Sequence, residues 1–166
     1  MSETNDSHEI IIRNRLQPGD VGSIIYLHGI LYADQCGFNY TFEPYVAAPL
    51  AEFVKFFNSR ERIWIVEKDG SVMGSAALVR ASDQEAQLRW LLLHPKIRGL
   101  GVGRKLVEEV ILFAQECGYH SIFLLTVDIL PQAACLYRSV GFKITEETRI
   151  ELWGIEMTEQ KYEIKL

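Results

Sequence analysis

The stretch Leu91-Leu92-Leu93-His94-Pro95-Lys96-Ile97-Arg98-Gly99-Leu100-Gly101-Val102-Gly103-Arg104 reads as a strand end, a turn and a glycine-rich entry into a helix. Glycine lets the backbone take positive φ and come close to a ligand. Free N–H groups at a helix start, together with the helix dipole, favour an anion. Arg98, Arg104 and Lys105 add full positive charge beside them. The segment therefore predicts a pyrophosphate site at the head of a helix.

The spacing narrows the choice. A Walker A loop needs Gly-Lys-Ser/Thr after its glycines. Gly103 is followed by Arg104-Lys105-Leu106, so that reading fails. A dinucleotide fingerprint needs G-x-G-x-x-G directly after a strand, with an acid at the end of the next strand. Asp128 would suit that last requirement. The spacing here is G-x-G-x-G, however, and residues 94–98 separate strand from loop. A plain glycine turn is the remaining alternative.

Outward from the loop, residues 102–117 form an amphipathic pattern, with Val102, Leu106, Val110, Phe113, Ala114 and Cys117 on one face. Gly118 suits the C-terminal cap. Residues 122–127 are an apolar run, expected to be a strand buried on both faces. Pro131 opens a short helix that ends near Ser139, and strands follow over 143–152 and 155–165.

Upstream, residues 62–67, 72–79 and 86–93 form a meander. Lys68-Asp69-Gly70 is a hairpin turn, and Gly74 marks a bulge or a close approach. Ser82-Asp83-Gln84 is the second turn. Before the meander come a strand at 10–12 and a helix that starts near Asp20, a candidate N-cap, and closes at Cys36-Gly37. A second helix is expected over about 43–58. Residues 1–8 read as a frayed tail and 9–166 as one domain. The order β-α-α-β-β-β-α-β-α-β-β makes a mixed α/β sheet flanked by helices.

Arg98-Gly99-Leu100-Gly101-Val102-Gly103 matches the Arg/Gln-x-x-Gly-x-Gly/Ala signature of the GNAT acetyltransferase superfamily. The chain also resembles that family in Ala133-x-x-Leu136-Tyr137-x-x-x-Gly141-Phe142. More narrowly, residues 37–43 and the closing Trp153-Gly154 hairpin look like the acetyltransferase half of bacterial regulators that carry a winged helix. No winged helix is present in this sequence.

The resemblance implies a GNAT-type, mostly antiparallel sheet and acetyl-CoA as cofactor. It implies an acetyl group passed directly to a primary amine, on a small molecule or a protein lysine, in a ternary complex. Carried over residue by residue, the end of the 86–93 strand should splay from the 122–127 strand. The pantetheine arm should pair near Leu92 and Leu93, where an N–H polarises the thioester carbonyl. The N–H groups of Arg98, Gly99, Leu100, Gly101, Val102, Gly103 and Arg104 should hold the pyrophosphate. Tyr137 should protonate the leaving thiolate. The family often has Asn seven residues before that tyrosine. Leu130 stands there, with Asp128 as its substitute. A non-catalytic acyl-CoA sensor is the alternative function.

An amine must lose a proton before attack. Glu43, in Phe38-Asn39-Tyr40-Thr41-Phe42-Glu43-Pro44-Tyr45, is the candidate base or cation binder, with Arg89, Trp90, Glu151 and His94 as weaker options. Near a helix start, Glu43 is as readily a solvated acid favoured by the dipole.

The bulk composition fits an ordinary soluble globular domain: 166 residues, 48% hydrophobic. The net charge of −5, from 22 acids and 17 bases, argues against a nucleic-acid surface and favours a cationic substrate. No apolar run is long enough to span a membrane. The polar, acidic start lacks a signal-peptide pattern, so a cytoplasmic protein is expected. Cys36, Cys117 and Cys135 are an odd set without a C-x-x-C pair, and Cys117 and Cys135 read as buried thiols. No metal site is assigned. Exposed edge strands invite pairing, so a homodimer through the last strands is a candidate assembly.

Overall fold

The computed structural model describes residues 9–166, and the expected tail at 1–8 lies outside them. The elements run β1 (Ile10–Arg13), α1 (Asp20–Cys36), α2 (Phe42–Phe56), β2 (Arg62–Lys68), β3 (Ser71–Arg80) and β4 (Glu85–Leu93). A 3-10 turn (Pro95–Ile97) leads to α3 (Val102–Glu116), β5 (Ser121–Val127), α4 (Pro131–Ser139), β6 (Lys143–Leu152) and β7 (Ile155–Lys165). The strands form one sheet ordered β1-β2-β3-β4-β5-β7-β6. Every neighbouring pair is antiparallel except β4 and β5.

Alternation along the strands feeds two cores. From β2, Trp64 and Val66 pack with α3 residues Leu106, Val110 and Phe113. Ile63 and Ile65 pack on the opposite face with Ile24 of α1 and Val46, Leu50 and Phe53 of α2. Burying each such side chain contributes about 1.5–3 kcal/mol. The β2–β3 turn uses Asp69 (φ 52) and Gly70 (φ 74), the left-handed pair expected of Asp-Gly.

The sheet is not regular at β4. Ala86 and Leu88 face the α3 core, whereas Trp90 faces the α1/α2 core. A one-residue bulge produces the switch. The register with β3 jumps between Ser75↔Leu92 and Ala77↔Arg89, and Trp90 carries φ 48. A bulky residue at positive φ is strained. The buried Ser75 hydroxyl holds it by donating to the Trp90 carbonyl at 2.7 Å. Gly74 makes the close approach expected of it, since a Cβ there would meet the Leu92 carbonyl oxygen at 2.5 Å.

Several expectations are corrected. Asp20 is not the cap of α1; Gly19, at φ 94, holds that position. The Asp20 carboxylate instead pairs with both terminal nitrogens of Arg13 at 2.8 Å and accepts the Gln17 N–H. That pairing holds its pKa below the ordinary value. Helix α2 stops at Phe56, because Phe57 is extended. Strand β5 is not buried on both faces: Ile122 and Leu124 are buried, but Leu125 is exposed. Cys135 is exposed, and Cys117 is only partly buried. Among the described residues, no helix is long and apolar enough to cross a membrane.

Removing the hydroxyl in Ser75→Ala leaves the Trp90 carbonyl without its buried donor. The expected loss is about 1–3 kcal/mol of unfolding free energy, read by denaturant titration. A loss within error would remove Ser75 as the support of the bulge.

Candidate active site

Strands β4 and β5 pair only at Glu85↔Ser121, Ala86↔Ile122 and Gln87↔Phe123. Beyond that point β5 stays with β7, out to Val127↔Glu159. Strand β4 stays with β3, out to Gly74↔Leu93. The two strands therefore part, as expected for the end of β4, and leave a gap. Successive peptide groups of a strand point to opposite edges. The His94 N–H donates to Met73 on the β3 side at 2.7 Å. Leu93 thus turns its N–H and carbonyl to the gap, and that carbonyl accepts from Arg98 Nε at 2.9 Å. Leu92 turns its carbonyl toward β3.

The glycine loop borders this gap. Gly99 (φ 74) and Gly101 (φ 78) occupy the left-handed region. The Arg98 N–H is spent on Pro95 O at 3.2 Å, and Lys105 N–H is the first to reach a helical carbonyl, that of Gly101, at 3.1 Å. The N–H groups of Gly101, Val102, Gly103 and Arg104 have no intrahelical partner. They present the donor array an anion needs. A Cβ on Gly103 would lie 3.1 Å from Leu93 and 3.3 Å from Leu136, so the helix start abuts both β4 and α4. Val102 is buried in the core and offers only its backbone, whereas Leu100 is 62% exposed at the tip. The Arg98 guanidinium reaches Gln35 at 3.2 Å, and Arg104 pairs with Glu108 at 2.8 Å in solvent.

A cleft opens where the strands part. Leu88, Leu124, Leu130 and Tyr137 line its floor, and Tyr32, Phe38, Phe42, Tyr45 and Trp153 line its aromatic side. Tyr137 is the buried residue of α4. It packs on Phe142 and Tyr162 with ring centroids 6.1 and 5.6 Å away. Burial, then the neighbouring Tyr32 and Tyr162, push its phenol well above the ordinary value. The Trp153-Gly154 turn docks on the α1–α2 connection, where the Asn39 N–H donates to Trp153 O at 2.9 Å.

Other expected site residues lie apart from the cleft. Glu43 is exposed and leans on α1, where a Cβ on Gly29 would sit 2.8 Å from its Cγ. Asp128 Oδ1 accepts the Thr158 N–H at 2.9 Å, which ties the end of β5 to β7. Glu151 is exposed on β6. His94 belongs to its turn, with Nδ1 accepting the Lys96 N–H at 3.1 Å.

The cleft also contains His28 and Glu159, neither of which the sequence singled out as a site residue. Glu159 enters because β7 inserts between β5 and β6, an ordering with no local signal. His28 sits on the apolar stripe of α1 and is 3% exposed. Its Nδ1–H donates to Ile24 O at 2.7 Å, and its ring stacks on Tyr32 at 5.8 Å.

An anion-ready helix start thus stands beside a splayed strand pair. The acetyltransferase (GNAT) domain model matches residues 59–144. An uncharacterized N-acetyltransferase of Schizosaccharomyces pombe is 33% identical over 118 residues, 69% of this chain and 72% of that one. N-acetyltransferase 8B of Homo sapiens is 32% identical over 96 residues, 55% of this chain and 42% of the relative. Among solved structures, an acetyltransferase of Streptococcus agalactiae superposes with a TM-score of 0.76 at 22% identity, covering 95% and 98% of the two chains. A Salmonella typhimurium protein solved with its cofactor acetyl-CoA gives 0.71 at 20% identity, covering 94% and 93%. At those identities the two structures speak for the fold.

The chain belongs to the GNAT acetyltransferase family. It is an acyltransferase of the N-acetyltransferase type. It spans 42% to 56% of the length of the N-acetyltransferase 8 relatives from human, rat and mouse.

Burial lowers the His28 pKa from 6.5 to about 4. The unfolded chain therefore binds a proton there that the folded chain refuses. The resulting stability is complete above pH 6.5 and is lost as pH falls toward 4. Linkage puts the loss at roughly 3 kcal/mol. His28→Gln should flatten the stability profile across this window in denaturant titrations. An unchanged slope would show that His28 titrates normally.

Proposed function

We propose that this chain moves an acetyl group from acetyl-CoA directly to a primary amine, on a small molecule or a protein lysine, in a ternary complex. Residues 9–166 act as one N-acetyltransferase unit. The observation that carries this reading is the open edge of β4, which leads from the anion-ready start of α3 to the cleft that Tyr137 lines.

The residues present fit the donor. Glycines at positive φ keep side chains out of the loop, and helix-start N–H groups are free for phosphate oxygens. When bound, acetyl-CoA supplies an acyl thioester activated for attack. The N–H groups of Gly99, Leu100, Gly101, Val102, Gly103 and Arg104 bind the pyrophosphate. Arg98 adds charge and keeps Leu93 aligned. The Leu93 N–H pairs with the pantetheine arm, while Leu92 keeps the strand on β3. A gap-facing N–H of β4 polarises the thioester carbonyl. The second carboxylate oxygen of Asp128 is left for the arm.

Tyr137 keeps its proton at Oη throughout the working pH range, since its pKa is raised. A free thiol has a pKa of about 8.5, so full proton transfer from this phenol is uphill. Tyr137 would therefore serve as a hydrogen-bond donor from Oη toward the cofactor's sulfur and keep its own proton. Glu159, on the cleft wall, accepts the proton of the amine. Glu43, exposed beside Phe42, acts only through water. We also read Trp153, packed on Phe38 and Phe42, as support for the likeness to winged-helix fusion regulators. A homodimer through the last strands would use β6, whose free edge carries Lys143, Glu146, Glu147, Arg149 and Glu151. That charge row works against pairing.

Thiol release from acetyl-CoA across an amine panel tests the reading. Tyr137→Phe should lower turnover roughly 100-fold, with CoA affinity by calorimetry nearly unchanged. Gly101→Ala should instead weaken CoA binding, because φ 78 strains an alanine. Tight CoA binding with no thiol release for any amine would mark the chain as an acyl-CoA sensor.

A further inference from the structure

Arg89 has an unusual position. Residues 89 and 90 would point to opposite faces in a regular strand. The bulge at Trp90 puts both on the α1/α2 side, and the guanidinium carbon lies 4.7 Å from the Trp90 ring centroid. Stacking satisfies the flat face of a guanidinium and leaves its in-plane donors free for a planar anion. Among the described residues, no carboxylate, carbonyl or amide accepts from Arg89, although burial has stripped it of part of its water. Such loss of solvent favours the neutral form, and the pKa of Arg89 is lowered accordingly. The side chain is half-buried, so its donors are partly desolvated and gain from an anionic partner that enters the cleft.

Glu159 lies on the same cleft wall. Tyr45 lines the same cleft: burial chiefly raises the pKa of its hydroxyl, with Arg89 pulling it down and Glu159 pushing it up. They do not pair with each other within 4 Å. Around them stand Phe42, Tyr45 and Trp153, with centroid separations of 4.8 to 5.9 Å. The cleft thus offers a cation, an anion and an aromatic wall at once.

We infer that the acceptor carries a carboxylate close to its amine, as a free α-amino acid with an apolar or aromatic side chain does, and that Arg89 is the specificity-determining residue that binds that carboxylate. This inference rests on the transfer reading above. Glu159 then faces the ammonium and the aromatic wall takes the side chain. A lysine within a protein has no carboxylate at that distance and would leave Arg89 unpaired. Charge-assisted bidentate pairs of this kind are strong and directional.

The test pairs apolar amino acids with their carboxamides, in thiol-release kinetics on the wild-type chain and on Arg89→Gln. The wild type should prefer the free acids at least tenfold in kcat/KM, mostly through KM. Arg89→Gln should erase that preference, with the free acids losing at least tenfold more kcat/KM than their carboxamides. Equal use of acids and amides by the wild type, or an unchanged preference in Arg89→Gln, overturns the inference and leaves acetyl transfer intact. Calorimetry with CoA present separates the remaining case. N-acetylated amino acids should bind at least tenfold more tightly than their amides, and only when Arg89 is present. If no amine is turned over but this difference holds, the carboxylate site stands and the transfer reading falls. If the acetylated acids and amides bind alike, the carboxylate site falls.

Discussion

One hydrogen bond underlies much of this molecule: the Ser75 hydroxyl on the Trp90 carbonyl. It supports a tryptophan in a backbone region that suits glycine. With that residue turned, β4 exchanges its faces, and the side chains before and after the bulge serve different cores. The strand can then follow β3 to Leu93 while β5 follows β7, so that the parallel pair opens. The gap, the cleft and the placement of Arg89 beside Trp90 all follow from this break in regularity.

Electrostatics divides the site into unlike halves. On the donor side the positive potential is mostly backbone in origin, concentrated by a helix start and two left-handed glycines. Its arginines are occupied, Arg98 with Leu93 and Gln35 and Arg104 with Glu108. In the cleft proposed for the acceptor the charge belongs to side chains, Arg89 and Glu159, set among aromatic rings. The net charge of −5 describes neither half. Elsewhere Arg13 is balanced by Asp20 and Glu67 at 2.8 and 3.0 Å, which pins β1 to the start of α1 and to β2.

The legible parts of the sequence were those with local causes. Asp69-Gly70 needs positive φ and found it, and the last two strands fall within the expected bounds. The glycine loop could be read because glycine at a helix start has few other uses. The bulge could not, because tryptophan gives no sign that it will be left-handed; Ser75 explains it only once the strands are paired. Glu159 looked like one acid among many, and its importance comes from β7 lying beside β5. Asp20 was read as a cap because capping is local, whereas its partner Arg13 depends on tertiary packing. The apolar run in β5 suggested full burial, but beside an open gap Leu125 remains exposed.

The docked Trp153-Gly154 tip separates two kinds of inheritance. The donor half is one contiguous piece of chain, from the end of β4 into α3. The roof over the acceptor is assembled from three remote pieces: the aromatic turn between α1 and α2, the bulged strand and the terminal hairpin. Substitutions at the hairpin tip can therefore reshape the roof without touching the phosphate loop. Such a chassis can exchange one acceptor for another over evolutionary time while its donor machinery stays the same.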